Sequence, residues 1–186
     1  MGSGKSQVSL YLGKQYPVLD LDRVNARLLE PGQSGFIRLQ KKHLISLLGD
    51  GTIDKIKLAE DIFSDSSTKK EVEETLYPLI IESMHHWIDQ QTARLVFVEV
   101  PLLFENNMQD DFDAVWCVVC EQPSAIERLV LYRGFTPEQA LARLQYQMSP
   151  EKKCALSQVV IHNDGTLQQL EQQIARLVRK EEAAFE

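Results

Sequence analysis

The 186-residue chain has no apolar run that reaches the roughly 18–20 residues of a membrane span. Its opening, MGSGKSQVSL, lacks the apolar core of a secretory signal, so the expected location is cytoplasmic, with no membrane partner. Positive charge is not in excess: 20 Lys and Arg stand against 27 Asp and Glu, for a net charge of −7. That balance argues against a broad nucleic-acid surface. It leaves room for small anionic ligands, because a few local cations and a metal ion can reverse the field inside a pocket. Cysteine is scarce, and the three present do not make an even disulfide framework. Cys117 and Cys120 have C-x-x-C spacing, but they lie in the apolar run DAVWCVVCE, which reads as a buried strand. Side chains three apart on a strand point to opposite faces, so the two sulfurs are expected to be core thiols rather than partners on one metal. Internal repeats and low-complexity linkers are absent as well.

What is present is a chain 44% hydrophobic, enough for one compact domain, residues 1–186, with an inserted subdomain. KSQVSLYLGKQY reads as a helix, PVLDLD as a short strand ending in acid, and RVNARLL as a helix stopped by Pro31-Gly32. Helical patterns then dominate from 34 to 90, in GFIRLQKKHLISLL, DKIKLAEDIF and TKKEVEETLYPLIIESMHHWIDQ. Two sharp strands follow, within ARLVFVEVPLLF and AVWCVVCE, then helices in PSAIERLVLY and TPEQALARLQYQ. A strand in SQVVIHN and an amphipathic helix from about Leu167 close the chain. Apolar strands alternating with helices predict an α/β fold with a parallel sheet covered on both faces.

Four groups of residues carry candidate chemistry. Gly4-Lys5-Ser6 is the closing half of G-x-x-x-x-G-K-[ST], set where a turn enters a helix. There the backbone N–H groups and the positive helix end would face a phosphate, with Lys5 neutralising it and the Ser6 hydroxyl on Mg²⁺. The alternative is a flexible glycine-serine start, and the strand–helix order around it favours the phosphate loop. Asp20 and Asp22 are two apart at a strand end, so they share one face while the strand continues. One of them would meet a phosphate acceptor in the crevice at the strand ends, or Asp22 simply caps the helix near Arg23. Glu99 ends a hydrophobic strand, as does the acid that assists Mg²⁺ binding in P-loop enzymes. Arg128, Arg133 and Arg143 lie on or between two helices, where they serve either a lid that closes over phosphates or a solvated face.

In chain order these segments resemble the dephospho-coenzyme A kinase family over nearly the whole chain. The matching stretches are GSGKS at 2–6, D-x-D-x-x-x-A-R at 20–27 with Pro31-Gly32, V-P-L-L-F-E at 100–105, R-x-x-x-x-R at 128–133, R-x-x-x-Q-x-S-x-E at 143–151 and V-I-x-N-x-G at 160–165. The resemblance implies a P-loop kinase fold with a helical coenzyme-A-binding insert near 34–90 and a lid near 122–148. It implies transfer of the γ-phosphate of ATP to the ribose 3′-hydroxyl of dephospho-CoA, with Mg²⁺. Asp22, Lys5 and Arg133 then take catalytic positions, and Gly2, Ser3, Gly4, Lys5, Ser6, Gln7, Arg143, Asn163 and Gly165 surround ATP. Asp20, Asp22, Leu102 and Glu105 lie on the acceptor side, while Ser6 and Glu99 hold the metal.

The chain departs from the family pattern in three places. Tyr77-Pro78-Leu79-Ile80 stands where His-Pro-Leu-Ile is usual, with Pro78 expected to interrupt the helix. Gln7 replaces the usual Thr. The family's first strand and opening glycines precede the position of Met1, so roughly ten further residues are expected upstream in the natural protein. Three functions remain open on the residues alone: the dephospho-CoA kinase, a P-loop kinase for another small acceptor, and a non-catalytic relative that binds CoA-like ligands. The tandem His85-His86 reads as a surface feature.

Overall fold

The computed structural model describes residues 1–184. In order they form α1 (Lys5–Leu12), β1 (Val18–Asp20), α2 (Leu21–Leu28), α3 (Ser34–Lys41), α4 (Lys55–Ser64), α5 (Ser66–Asp89), β2 (Phe97–Glu99), β3 (Trp116–Val119), α6 (Gln122–Arg133), α7 (Pro137–Gln145), α8 (Pro150–Ala155), β4 (Val159–His162) and α9 (Leu167–Ala184). The protein is mixed α/β and mostly helical. Two compact units are distinguished: Met1–Val18 together with the chain from Ala93 onward, and Leu19–Thr92. No helix among the described residues is long and apolar enough to cross a membrane.

The expected continuous sheet is instead two pairs of strands, β1 with β2 and β3 with β4. The β3–β4 pair is parallel, with Trp116 beside Val159 and Val119 beside His162. The other pair is short for local reasons. Asp20 turns the chain into α2 by accepting hydrogen bonds from the Asp22 and Arg23 N–H groups, which ends β1 after three residues. Pro101, lacking an N–H, closes off β2, and the chain turns at once. Between β2 and β3 the link is aromatic: the Phe97 ring packs edge-on to Trp116 at 5.5 Å and to Tyr16 at 5.6 Å. These rings border a core in which Val8 and Leu12 of α1 meet Ile161 of β4 and Leu170, Ile174 and Val178 of α9.

In the unit Leu19–Thr92, α2, α3 and α4 each pack against the 24-residue α5. This unit includes α2, which lies on α5. Its core gathers Phe36, Leu39, Ile53, Leu58, Val72 and Leu76, with Leu39 fully buried. Asp54 caps α4 by accepting from the Lys57 N–H, and Asp65 caps α5 by accepting from those of Ser67 and Thr68. Two helical expectations are corrected here. The pattern GFIRLQKKHLISLL is helical only to Lys41; His43 takes a positive φ of 57°, and Leu47 bridges to Ile53 in antiparallel fashion. Pro78 does not interrupt α5, which runs from Ser66 to Asp89 with the proline inside it. Packing from three neighbouring helices outweighs the one backbone bond the proline cannot donate. His85 and His86 are exposed.

Candidate functional site

The glycine turn leads directly into α1. Gly4 is the N-cap in a left-handed conformation, φ 93°, and no side chain caps the helix there. Gly2 is also left-handed, at φ 71°, and a Cβ on it would lie 2.7 Å from the Ala125 carbonyl oxygen of α6. A Cβ on Gly4 would collide with the Asn163 side-chain amide. Both positions therefore require glycine for backbone angle and for space. The helix itself is seated by Val8 and Leu12 in the core below.

At the mouth of the turn, the Ser6 hydroxyl donates to Glu99 Oε1 at 3.1 Å. This brings together two residues separated by 93 positions, one from the first turn of α1 and one from the end of β2. A hydroxyl and one carboxylate are hard oxygen donors, and Mg²⁺ typically takes one or two carboxylates, with substrate phosphates and waters completing its shell. Among the described residues no group of three or more His, Cys, Asp or Glu is arranged to hold a metal alone. The donor set therefore fits a cation that arrives with a polyphosphate.

Behind the turn stands a polar wall. Arg128 Nη2 donates to the Asn163 carbonyl at 2.8 Å, and Nη1 lies 3.4 Å from the Gly2 carbonyl and 3.5 Å from that of Ser3. Asn163, only 7% exposed, donates through Nδ2 to the Ser3 carbonyl at 2.8 Å. Its side chain thus braces the turn. The Cys120 thiol lies 3.8 Å from the Gly2 carbonyl. Burial pushes this thiol's pKa up, against the opposing pull of the Arg128 guanidinium. Cys117 is buried within β3, beside Cys154 and Ser157, so the two C-x-x-C sulfurs do have separate surroundings. The ends of β3 and β4 are joined by Asp164, which accepts from the Glu121 N–H at 2.6 Å. Gly165 follows, next to Gln169 at the start of α9.

The loop after β2 keeps Leu102 exposed and buries Phe104. Glu105 Oε1 accepts from Lys153 Nζ at 2.8 Å and from the Met148 N–H at 3.0 Å. Burial tends to raise the pKa of this carboxyl, but the Lys153 ammonium and backbone N–H donors hold it below the usual carboxylate range. Arg133 is the exposed last residue of α6, and Arg143, near the end of α7, lies over the Phe135 ring at 4.5 Å.

In the other unit, Asp20 and Asp22 do not share a strand face. Asp20 is the N-cap of α2, and Asp22 is an exposed residue of that helix's first turn. The capping that is one alternative for Asp22 is performed by Asp20. Sequence reasoning also passed over Lys153, Phe135 and the backbone-facing role of Arg128. A partner to a distant carbonyl or carboxylate leaves no local pattern. The short α8 did leave one, since Ser149-Pro150 is a cap followed by proline at the first helical position.

A family model described as dephospho-CoA kinase matches residues 1–169. The chain is 32% identical to a dephospho-CoA kinase of Shouchella clausii over 181 residues, covering 94% of this chain and 91% of that one. It is 31% identical to a dephospho-CoA kinase of Synechocystis over 180 residues, covering 95% and 90%. Among solved structures, TT1252 from Thermus thermophilus superposes with a TM-score of 0.84 at 31% identity, over 97% of this chain and 93% of that one. A dephospho-CoA kinase from Campylobacter jejuni superposes at 0.70 with 20% identity, a likeness of fold.

Proposed function

Because the chain belongs to the dephospho-CoA kinase family, we propose that it transfers the γ-phosphate of ATP to the ribose 3′-hydroxyl of dephospho-CoA, yielding coenzyme A and ADP. The observation that carries this reading is the Ser6–Glu99 pair at the mouth of an uncapped, glycine-entered helix. The amides of residues 2–6 cradle the phosphates, with Gln7 beside them donating its own N–H to the Gly4 carbonyl, and Lys5 neutralises the phosphate charge. Ser6 and Glu99 would hold Mg²⁺, which would supply positive charge to screen the phosphates. Asp22 orients the acceptor hydroxyl and takes its proton late, as a loose phosphoryl-transfer transition state requires. Asp20, Leu102 and Glu105 shape the acceptor side, and the helices within 34–90 receive the coenzyme arm. Arg133 and Arg143 serve a lid within 122–148, with Arg133 stabilising the transferring charge, and Asn163 to Gly165 border the adenine.

The test is an ADP-release assay with ATP and Mg²⁺, run with dephospho-CoA, shikimate and nucleoside monophosphates. Dephospho-CoA should be the preferred acceptor. Asp22→Asn should lower turnover by roughly 10²–10⁴-fold with ATP affinity nearly unchanged. Preference for another acceptor, or near-normal turnover of Asp22→Asn, overturns the proposal.

A further inference from the structure

Arg128 is one of the arginines whose sequence context allows either a phosphate lid or a solvated helix face, yet its guanidinium faces backbone oxygens. It reaches three carbonyls on two segments: those of Gly2 and Ser3 in the glycine turn, and that of Asn163 after β4. The geometry has a direct consequence. The described residues contain no cis peptide, and in a trans peptide the C=O and N–H point in opposite directions. The Gly2 carbonyl shares its peptide plane with the Ser3 N–H, and the Ser3 carbonyl shares its plane with the Gly4 N–H. Drawing both carbonyls toward Arg128 therefore turns both N–H groups the other way. Asn163 Nδ2 pulls on the same Ser3 carbonyl, and Ala125, one turn earlier on α6, lies against Gly2.

We propose that Arg128 is a positioning residue that orients the peptide planes of the glycine turn, so that the Ser3 and Gly4 amides are presented to the phosphates of a nucleotide. The guanidinium also removes an electrostatic fault of such a turn. Its carbonyls, left without donors, would place negative partial charge behind an anion site, and a fixed cation cancels it. An Arg fork suits this task because its donors are planar and rigid, whereas a Lys ammonium is a single flexible point. The inference rests on the turn being the phosphate-binding element. It concerns nucleotide affinity, and the acceptor and the chemical step are separate questions.

Calorimetry of ATP–Mg²⁺ binding tests it on Arg128→Lys and Arg128→Gln, with steady-state kinetics alongside. Both variants should bind ATP about 10–100-fold more weakly, the scale of losing charge-assisted hydrogen bonds that preorganise a site. The KM for ATP should rise in step, while kcat and the KM for dephospho-CoA change by less than about threefold. Circular dichroism and the urea midpoint report whether each variant is folded, and the folded one decides. ATP affinity within about threefold of the parent overturns the proposal, as does a fall in kcat with unchanged affinity, which is the signature of a transition-state arginine. Failure of the parent chain to bind ATP also overturns it. If the parent binds ATP but does not phosphorylate dephospho-CoA, the kinase reading falls, while weakened ATP binding by the variants still supports this role for Arg128.

Discussion

Around the glycine turn, segments near residues 2–6, 99, 120–128 and 163 meet through hydrogen bonds that mostly end on backbone carbonyls. In the unit Leu19–Thr92 the long-range contacts are mainly apolar, centred on Leu39 and its neighbours; one polar bond, from Lys42 Nζ to Thr75 Oγ1 at 3.0 Å, crosses between helices, while those of Asp54 and Asp65 reach only two or three residues along the chain. The first region is specified by direction and the second by burial. A directional network tolerates little change of atom position, because hydrogen bonds weaken steeply with misalignment. An apolar core tolerates changes of shape while total volume is kept. Errors in the turn should therefore appear as lost ligand affinity, and errors in the helical unit as lost stability.

The largest effect on nucleotide binding is expected at Gly4. Gly4→Ala combines a left-handed backbone with a collision against Asn163 and should lower ATP affinity by roughly 10²-fold. Calorimetry of the folded molecules measures it, and the urea midpoint should fall as well, by the equivalent of about 1–3 kcal/mol, the cost of holding a non-glycine residue left-handed. Next is Leu39→Ala, which opens a cavity in the helical core and should cost about 2–5 kcal/mol in urea unfolding. ATP affinity of the molecules that remain folded should stay near the parent value; an equal loss of affinity would break the contrast between the two regions. The smallest effect sharpens it at a polar site outside the turn. Glu105→Gln leaves Lys153 without its carboxylate and should cost about 1 kcal/mol at neutral pH, a modest figure because solvent screens the pair. Because the folded-state pKa of Glu105 is lowered, this contribution is present above the ordinary carboxylate pKa and disappears as pH falls through the depressed folded value. Unfolding curves of parent and variant should thus converge in strong acid.

Local features of the fold were legible in advance. The amphipathic α9, the apolar β3 and β4, and the glycine entry to α1 each have a pattern only a few residues long. So was the approach of Ser6 to Glu99, since the spacing of each residue within its own element pointed to the same metal-binding role. The errors came where two local rules compete. An Asp before a helix is a cap wherever the helix happens to start, and the choice between Asp20 and Asp22 depended on a strand ending two residues earlier than the pattern suggested. Pro78 breaks a helix in isolation, but α5 is held by helices packed along it. The carbonyl partners of Arg128 were not legible at all. Every residue carries a carbonyl, so nothing in a sequence marks which one a distant guanidinium will find.

Helix α9 holds no residue expected to touch a ligand, yet Leu170, Ile174 and Val178 form the bed under Val8 and Leu12. Eight helical residues span about 12 Å, so a tilt of about 5° at that bed would swing the open end of α1 by about 1 Å. Small changes of side-chain volume in α9 can therefore shift the open end of α1 from below and, on the proposed reading, retune the grip on a nucleotide with every ligand-facing atom left chemically intact.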